Sequence, residues 1–400
     1  MKTSYDKLEQ HCEVFSGYAF KSQDLQTEGD IPVVKIGNIS NGKDINLNED
    51  TQFVDKKFLS INEKYHITKG DVLISLTGSH INQPNSMVGR SCRYYQEKEL
   101  LLNQRAGKIL PIKNNDLAFL YYMFSSWAMK ICITNRAYGA ANQANVSPTD
   151  ILNIKFNFPD YNTQKKIGLI LSRYDKSIEN NNKRIKLLEQ MAQNLYKEWF
   201  VRFRFPGNEK CGFENGIPRN WHQGRLSELL EFKRGKNITA DEMEEGEVPV
   251  ISAGIEPSGY HSKASVQGTS LTISSSGANA GYLSIHYEDI WAADCMFISE
   301  KNTKNIYYVY ELLNNIRPVI INQQRGAAQP HVYSNDINHL KLWIPDEELM
   351  EKANQLFELL HKQIYQLQQT NKNLVKQRDL LLPRLMSGKL EVEQDIDGTC

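Results

Sequence analysis

Apolar residues recur at alternating intervals of four and three through the last part of the chain: Ala353, Phe357, Leu360, Ile364, Leu367, then Leu374, Leu381 and Leu385. A stripe repeating every 3.5 residues stays on one face only when two helices supercoil, so the pattern predicts one long helix over 347–385 carrying a coiled-coil seam. Asn371 and Arg378 interrupt the seam, and a polar seam residue costs stability while specifying register. The same pattern stands 186 residues upstream, in Ile167, Leu171, Tyr174, Ile178, Ile185, Leu188, Ala192, Leu195 and Trp199, with Asn181 as its polar break. Two long helices of matching phase in one chain are natural partners for each other.

The repetition extends beyond the helices, and long-period self-similarity outranks local signals. Across residues 141–160 and 327–346, eight positions match without a gap: Ala141/Ala327, Gln143/Gln329, Val146/Val332, Asp150/Asp336, Ile151/Ile337, Lys155/Lys341, Pro159/Pro345 and Asp160/Asp346. Further upstream Ile31-Pro-Val-Val34 resembles Val248-Pro-Val-Ile251, the stretch 70–78 (GDVLISLTG) resembles 268–277 (GTSLTISSSG), and Leu8 to Gly17 can be laid on Leu226 to Gly235. The spacing falls from 218 at Leu8/Leu226 to 186 at Ala141/Ala327, so the first globule is about thirty residues longer.

The chain therefore reads as an α+β protein: a mixed globule (1–160), a long helix (161–203), a Gly- and Pro-bearing linker (204–217), a second globule (218–345), a second long helix (346–390) and a polar tail (391–400). Strands are expected at 31–36, 72–76, 248–251 and 271–274, where branched residues are bounded by Gly, Asn and Asp. Apolar stretches without Gly or Pro predict one helix over 117–133 and another over 307–315. Asp160, Asn162 or Thr163 is expected to cap the first long helix, which at 1.5 Å per residue spans roughly 55 Å. Pairing the two helices through equivalent seams makes them antiparallel about a pseudo-twofold axis, with a globule at each end and a nearly circular course. That reach suits two sites about one turn of B-DNA (34–36 Å) apart.

Composition narrows the class only a little. Charged residues make up 24% and hydrophobic ones 40%, ordinary for a folded soluble chain. No run is long enough to span a membrane and the start lacks a signal-peptide core, so a cytoplasmic protein is expected. The cysteines (Cys12, Cys92, Cys132, Cys211, Cys295 and Cys400) are scattered, against a disulfide framework or a zinc site. Formal net charge is zero, which by itself argues against nucleic-acid binding, although a local basic face balanced by acidic helices stays compatible with it. No glycine-rich methyl-donor loop and no phosphate loop is found; Gly277-Ala-Asn-Ala-Gly281 reads as a turn. A nuclease reading from Pro159-Asp160 with Glu231-Phe-Lys233 is weak, because those pieces flank a long helix and the first half carries Glu13-Val-Phe15 at the matching place. No histidine set has metal-ligand spacing.

Leu195–Gly207 (LYKEWFVRFRFPG), Leu380–Leu390 (LLLPRLMSGKL), Ile217-Pro-Arg-Asn-Trp221 and the two small-residue loops at 139–143 and 326–329 resemble the specificity subunit of type I restriction-modification enzymes. The resemblance covers essentially the whole chain. It implies that each globule is a target recognition domain reading one half of a split double-stranded DNA site, and that the helices are spacers that set the gap. It also implies that two methyltransferase (modification) subunits dock around them and bring restriction subunits. On that view the chain is not itself an enzyme and holds no cofactor: S-adenosylmethionine, and ATP with magnesium for restriction, belong to partner subunits. The unequal globules imply an asymmetric site. The competing class is a two-headed coiled-coil adaptor for polypeptides, which salt-sensitive DNA binding separates from a DNA reader.

Candidate DNA-binding residues follow. In the small-residue loops, Asn142, Gln143 and Gln329 have amides that pair with adenine edges or phosphate, and Arg136 and Arg325 stand just before them. Both copies keep this loop, which favours backbone contact or a structural role over base readout. The polar turns Ser75, Thr77 and Ser79, and Ser274, Ser275, Ser276 and Asn279, present short donors around a glycine and read either as base contacts or as edge-strand turns. Lys35, Asn38, Arg90 and Arg93 in the first globule, and Lys233, Arg234 and Lys236 in the second, are candidate phosphate ligands or simply solvated charges. The outer helix faces, with Lys165, Lys166, Lys183, Arg184, Lys362 and Lys372, are either solvent-facing or a docking surface.

Overall fold

The computed structural model describes residues 3–42, 44–47, 50–79, 87–140, 143–326 and 330–392. It divides into two compact units, Met1–Ile178 with Lys372–Cys400, and Glu179–Asn371. Each unit holds one globule with part of each long helix, so compactness cuts the chain within helices rather than at residues 160 and 345.

The first unit is built on an antiparallel sheet of β2 (Cys12–Ser16), β10 (Ala106–Pro111), β6 (Val72–Ser75) and β8 (Ser91–Arg93), in that order. Every residue of β6 is buried, as befits a central strand covered on both faces. A second sheet orders β4 (Gln52–Val54), β3 (Ile31–Val34), β9 (Leu100–Leu102) and β5 (His66–Ile67), with β3 and β9 parallel. β7 (Thr77–Gly78) takes on the hairpin of β11 (Tyr138–Ala140) and β12 (Gln143–Asn145). β1 (Thr3–Lys7) pairs with β13 (Lys155–Pro159). The expected single helix over 117–133 is two: α1 (Leu117–Ser125) and α2 (Trp127–Thr134). Ser126 turns extended between them, its hydroxyl accepting from the Met129 N–H, so the chain bends where a polar residue can cap a new helix. The short α3 (Pro148–Leu152) opens on a reciprocal Ser147/Asp150 cap with proline in its first turn.

The second unit repeats this plan. After the linker hairpin β14 (Phe213–Glu214) and β15 (Ile217–Pro218), β16 (His222–Arg225) pairs with β24 (Lys341–Ile344) as β1 does with β13. A one-turn helix α5 (Leu226–Leu229) leads to a sheet of β17 (Lys233–Arg234), β23 (Cys295–Ser299), β20 (Ser270–Ser274) and β21 (Leu283–His286). β18 (Val248–Ile251) lies between β19 (Gly259–His261) and a parallel β22 (Trp291–Ala292). Helices α6 (Ile306–Asn315), α7 (Arg317–Ile321) and α8 (Ser334–Asn338) match α1, α2 and α3. Most of the extra length of the first globule lies between β3 and β6, in its longer loops around β4 and in β5, which has no counterpart among the described strands of the second.

The long helices are α4 (Tyr161–Tyr196), continued by a wider π turn over Lys197–Val201, and α9 (Glu347–Met386). Asp160 caps the first by accepting from the Thr163 N–H at 3.0 Å, and Asp346 the second from the Leu349 N–H at 2.9 Å. In the first unit Ile167 and Leu171 share a core with Leu385 and Met386, so the start of α4 lies beside the end of α9. In the second, Ala192 and Tyr196 share a core with Ala353 and Phe357, the end of α4 beside the start of α9. The helices are antiparallel within each unit. Of the seam residues, Ile167, Leu171, Phe357 and Ile364 are buried, whereas Ile178, Leu188, Leu195, Leu360, Leu374 and Leu381 are half-buried. The polar breaks are partnered: Asn181 Nδ2 donates to Asn371 Oδ1 at 2.9 Å, and Arg378 Nη1 donates to Asp175 Oδ1 at 2.6 Å. Among the described residues no single helix is long and apolar enough to cross a membrane.

Candidate nucleic-acid interface

Three separate segments of the second unit converge on one polar groove of about 620 Å³. Strand β17 supplies Arg234, the turn after β20 supplies Ser275 and Ser276, and the stretch before α8 supplies His331 and Tyr333. The turn is held by backbone pairing of Ser276 with His331 and by the Val332 N–H bonding to Ser275 O at 3.0 Å. Asn237 and Thr239 also line it. The groove is not uniformly basic. Asp294 lies in it and accepts from Ser276 Oγ at 2.5 Å. Glu242 is kept below the usual carboxylate range by the Thr239 N–H it accepts from. Hydroxyl, amide, imidazole and carboxylate groups together present both donors and acceptors, the set that reads base edges rather than phosphates alone.

Arg234 and Lys233 are exposed on β17, and Lys236 is exposed beyond it, its carbonyl accepting from Trp291 Nε1 at 2.8 Å. Ser274 and Ser276 are buried with their hydroxyls spent internally, Ser274 on Ala253 O at 3.0 Å. Ser275 and Asn279 are half-buried. Arg325 is exposed and its guanidinium meets Asp336 at 2.5 Å.

In the first unit the matching turn is built alike. Ser75 and Thr77 are buried; Ser75 Oγ donates to Thr77 O at 2.8 Å, and Thr77 Oγ1 to Asn145 Oδ1 at 2.9 Å. Asn38 is buried too, bonding Asn46 O, Thr51 and the Lys35 N–H, which makes it a loop brace. Lys35 is half-buried against Gln52, and burial pulls its pKa down. Arg93 is half-buried with its guanidinium 5.9 Å from the Tyr95 ring centre. Arg90 and Ser79 are half-buried, while Arg136 and Gln143 are exposed. Arg136 Nη1 donates to Cys132 O at 3.1 Å. Gly139 has φ +135, and a Cβ there would lie 2.2 Å from Gln143 O, so β11 demands glycine at this position. Asn142 and Gln329 lie outside the described residues.

Sequence reasoning missed Asn237, Thr239, His331 and Tyr333. The signal was the repeat: His331 matches Asn145, the residue paired opposite Thr77, and Tyr333 stands two further on.

Comparison with known proteins places this architecture. The model of the type I restriction modification DNA specificity domain matches residues 4–190 and 218–377, one copy on each half. The chain is 25% identical over 324 residues to the specificity subunit of the type I restriction enzyme MjaIX from Methanocaldococcus jannaschii, covering 74% of each chain. It is also 25% identical over 364 residues to a putative type I specificity subunit from Mycoplasma genitalium, covering 86% of this chain and 92% of that one. A crystal structure of a type I restriction-modification S subunit from M. genitalium shares the fold, with a TM-score of 0.59 and 18% identity over 96% of both chains. The adaptor reading is thereby set aside. The chain belongs to the DNA specificity subunits of type I restriction-modification systems, the non-catalytic component on which such a system relies to recognise DNA.

Proposed function

We propose that each globule, 1–160 and 218–345, reads one half of an asymmetric, split double-stranded DNA site, with the spacer helices 161–203 and 346–390 setting the gap. The observation that carries this is the convergence of Arg234, Ser275, His331 and Tyr333 on one groove, at a turn whose pairing recurs in the first globule as Thr77 against Asn145. Two globules of one topology but different polar linings are what an unequal pair of half-sites requires. In the first globule Arg136 and Gln143 are the exposed contacts; in the second Lys233, Arg234 and Lys236 take phosphate. The buried hydroxyls of Ser75, Thr77, Ser274 and Ser276 brace the reading turns.

Two methyltransferase subunits dock around the paired helices and bring restriction subunits with them. S-adenosylmethionine, and ATP with magnesium for restriction, bind those partners. The test is to map methylated positions in a host genome with and without this chain. Exchange of residues 1–160 for another recognition domain changes one half of the site only, and lengthening both helices changes the gap. Methylation that follows the same site without the chain overturns the reading.

A further inference from the structure

The first unit holds a cleft of about 960 Å³ where α1, α2, β13 and the end of α9 meet. Its floor includes Tyr122, Leu382 and Met386. Along the long helices, 186 residues apart, Leu382 and Met386 correspond to Tyr196 and Phe200, while Tyr122 of α1 corresponds to Glu311 of α6. In the second unit that place is occupied. The chain leaving the helix lays Phe203 and Phe205 against Trp221, at 5.2 and 6.3 Å between ring centres, and Trp221 lies 5.9 Å from Phe200. One backbone bond recurs where the chain leaves each helix, the Arg204 N–H to Glu198 O at 2.7 Å and the Leu390 N–H to Arg384 O at 3.1 Å, although α4 leaves through a π turn over Lys197–Val201 where α9 stays α-helical to Met386. The side chains differ too: Phe203, Phe205 and Trp221 correspond to Lys389, Glu391 and Thr3. The three aromatic side chains have no counterpart at those positions, and among the described residues a cleft lies there.

The open cleft is also lined by aromatic surface that ordinary burial would have covered. Trp127 is 72% exposed and Tyr5 65% exposed. Exposed aromatics beside cations mark a contact surface rather than plain solvent-facing protein. The charge at the rim is inverted relative to the second unit. There Glu198 holds Arg202 and, at 3.4 Å, Arg204, the two arginines of the aromatic plug. Its counterpart is Arg384, exposed at the cleft together with Lys389 and Lys155. Among the described residues that line it the one acid, Asp379, is already paired with Arg378 at 2.8 Å.

We propose that this cleft receives, from a partner subunit, a polypeptide segment in which two aromatic side chains flank an acidic one. In the second unit Phe-Arg-Phe sets its arginine against Glu198; at the cleft of the first unit Arg384 stands in place of that acid, so the segment that fits carries the opposite charge. The chain itself contains no aromatic–acid–aromatic triplet, so neither its own linker nor a second copy supplies the occupant. The proposal rests on the chain being one subunit of a larger assembly. Its test uses the chain alone, so it fails or succeeds independently of which DNA is read or how the helices dock.

Two fluorescein-labelled peptides, Glu-Phe-Glu-Phe-Pro-Gly and Arg-Phe-Arg-Phe-Pro-Gly, are titrated with the full chain by fluorescence polarisation. The acidic peptide binds about tenfold tighter than the basic one, and Arg384→Glu reverses the preference. Lys389→Phe, which restores one aromatic of the plug at an exposed position, weakens the acidic peptide about tenfold while leaving the melting temperature unchanged. Absence of binding, equal affinity for the two peptides, a preference that survives Arg384→Glu, or displacement of the acidic peptide by duplex DNA overturns the proposal, the last by making the cleft a nucleic-acid site.

Discussion

Each globule is fastened to the long helices by a buried polar joint, and the two joints use different chemistry on one geometry. In the first unit Asp175 of α4 accepts from Tyr122 at 2.5 Å and from Arg378 of α9 at 2.6 Å. The repeat carries Asp175 onto His361. In the second unit His361 of α9 stands 2.9 Å from Glu311 of α6 and 2.8 Å from the Tyr287 hydroxyl. The helix that lies against the spacer starts differently as well. Asp116 caps α1 by accepting from the Phe119 N–H at 2.8 Å, and Gly168 of α4 leaves room for it, since a Cβ there would lie 2.6 Å from the Asp116 carboxylate. At the equivalent place α9 carries Asn354, whose side chain accepts from the Tyr307 and Tyr308 N–H groups and so caps α6 from outside. Duplication preserved the backbone, while the polar groups drifted in matched sets. A globule moved onto the wrong helix segment would leave an uncompensated buried charge or an uncapped helix.

The sharpest way to break this comparison is to remove one member of each joint. Glu311 and His361 are 2% and 3% exposed, so Glu311→Ala strands a buried imidazole and costs about 3–5 kcal/mol. Asp175 and Arg378 are 13% and 16% exposed, and Arg378 keeps Asp379, so Asp175→Ala costs less, about 1–3 kcal/mol. Urea unfolding of the two variants measures both. Equal losses would show that the joints, though chemically distinct, are energetically alike.

Acid distinguishes the units next. His286 is half-buried on β21 with its ring nitrogen 2.9 Å from Thr272 Oγ1, and desolvation of the ring pulls its pKa down to about 4. Register places it where the first unit has Tyr94, whose phenol burial pushes up, so that position stays neutral through the acid range. Because the folded pKa of His286 lies below its ordinary 6.5, the unfolded chain binds the extra proton. Stability of the second unit is therefore full above pH 6.5, falls as the pH drops toward 4, and is lower by about 3 kcal/mol at the bottom of that window. His286→Gln flattens the profile between pH 7 and pH 4 when unfolding is followed at each pH. An unchanged slope would assign the acid sensitivity to other groups.

Smaller effects separate the two helix caps. Asn354→Ala leaves the first turn of α6 without its external cap and costs about 1–2 kcal/mol. Gly168→Ala gains about 1 kcal/mol of helix propensity but forces Asp116 aside, for a net loss of about 1 kcal/mol. Both changes are read as shifts in the urea midpoint, and a stabilised Gly168→Ala would show that Asp116 yields its place at no cost.

The repeat, the helix seams and Asp160 as one of three possible caps were legible because each rests on local spacing or on a short matched string. The break at Ser126 was not, because an apolar stretch hides a bend that one buried serine makes possible. The groove was half legible. Ser275 and Arg234 stood out by residue type, whereas His331 and Tyr333 are brought there only by a strand pairing between residues distant in sequence. Conversely Asn38, Ser75 and Thr77 have the side chains of a reading surface but spend them inside the fold, which burial decides and composition does not. The joints were invisible for a related reason: Asp175 and His361 look like unrelated charges until the duplication aligns them.

The smallest expected effect concerns the place where the two seams are both polar. Asn181 and Asn371 meet each other, and Asn371 also donates to Asn182 at 2.8 Å, so the breaks that each seam shows separately form one small network. These residues are only partly buried, and each hydrogen bond is worth about 0.5–1.5 kcal/mol net. Replacing both Asn181 and Asn371 by Leu exchanges that network for partial burial of two apolar side chains, which at full burial would give about 1.5–3 kcal/mol each. The two terms nearly cancel, and the double variant is expected within about 1 kcal/mol of the parent, on the stabilised side. What changes is specificity: a continuous apolar seam tolerates a shifted register and a second copy, which one polar pair forbids. Light scattering of the variant should therefore show a dimer fraction that the parent lacks at equal concentration. A strictly monomeric variant with lowered stability would mean that the asparagines contribute strength to the seam rather than select its partner.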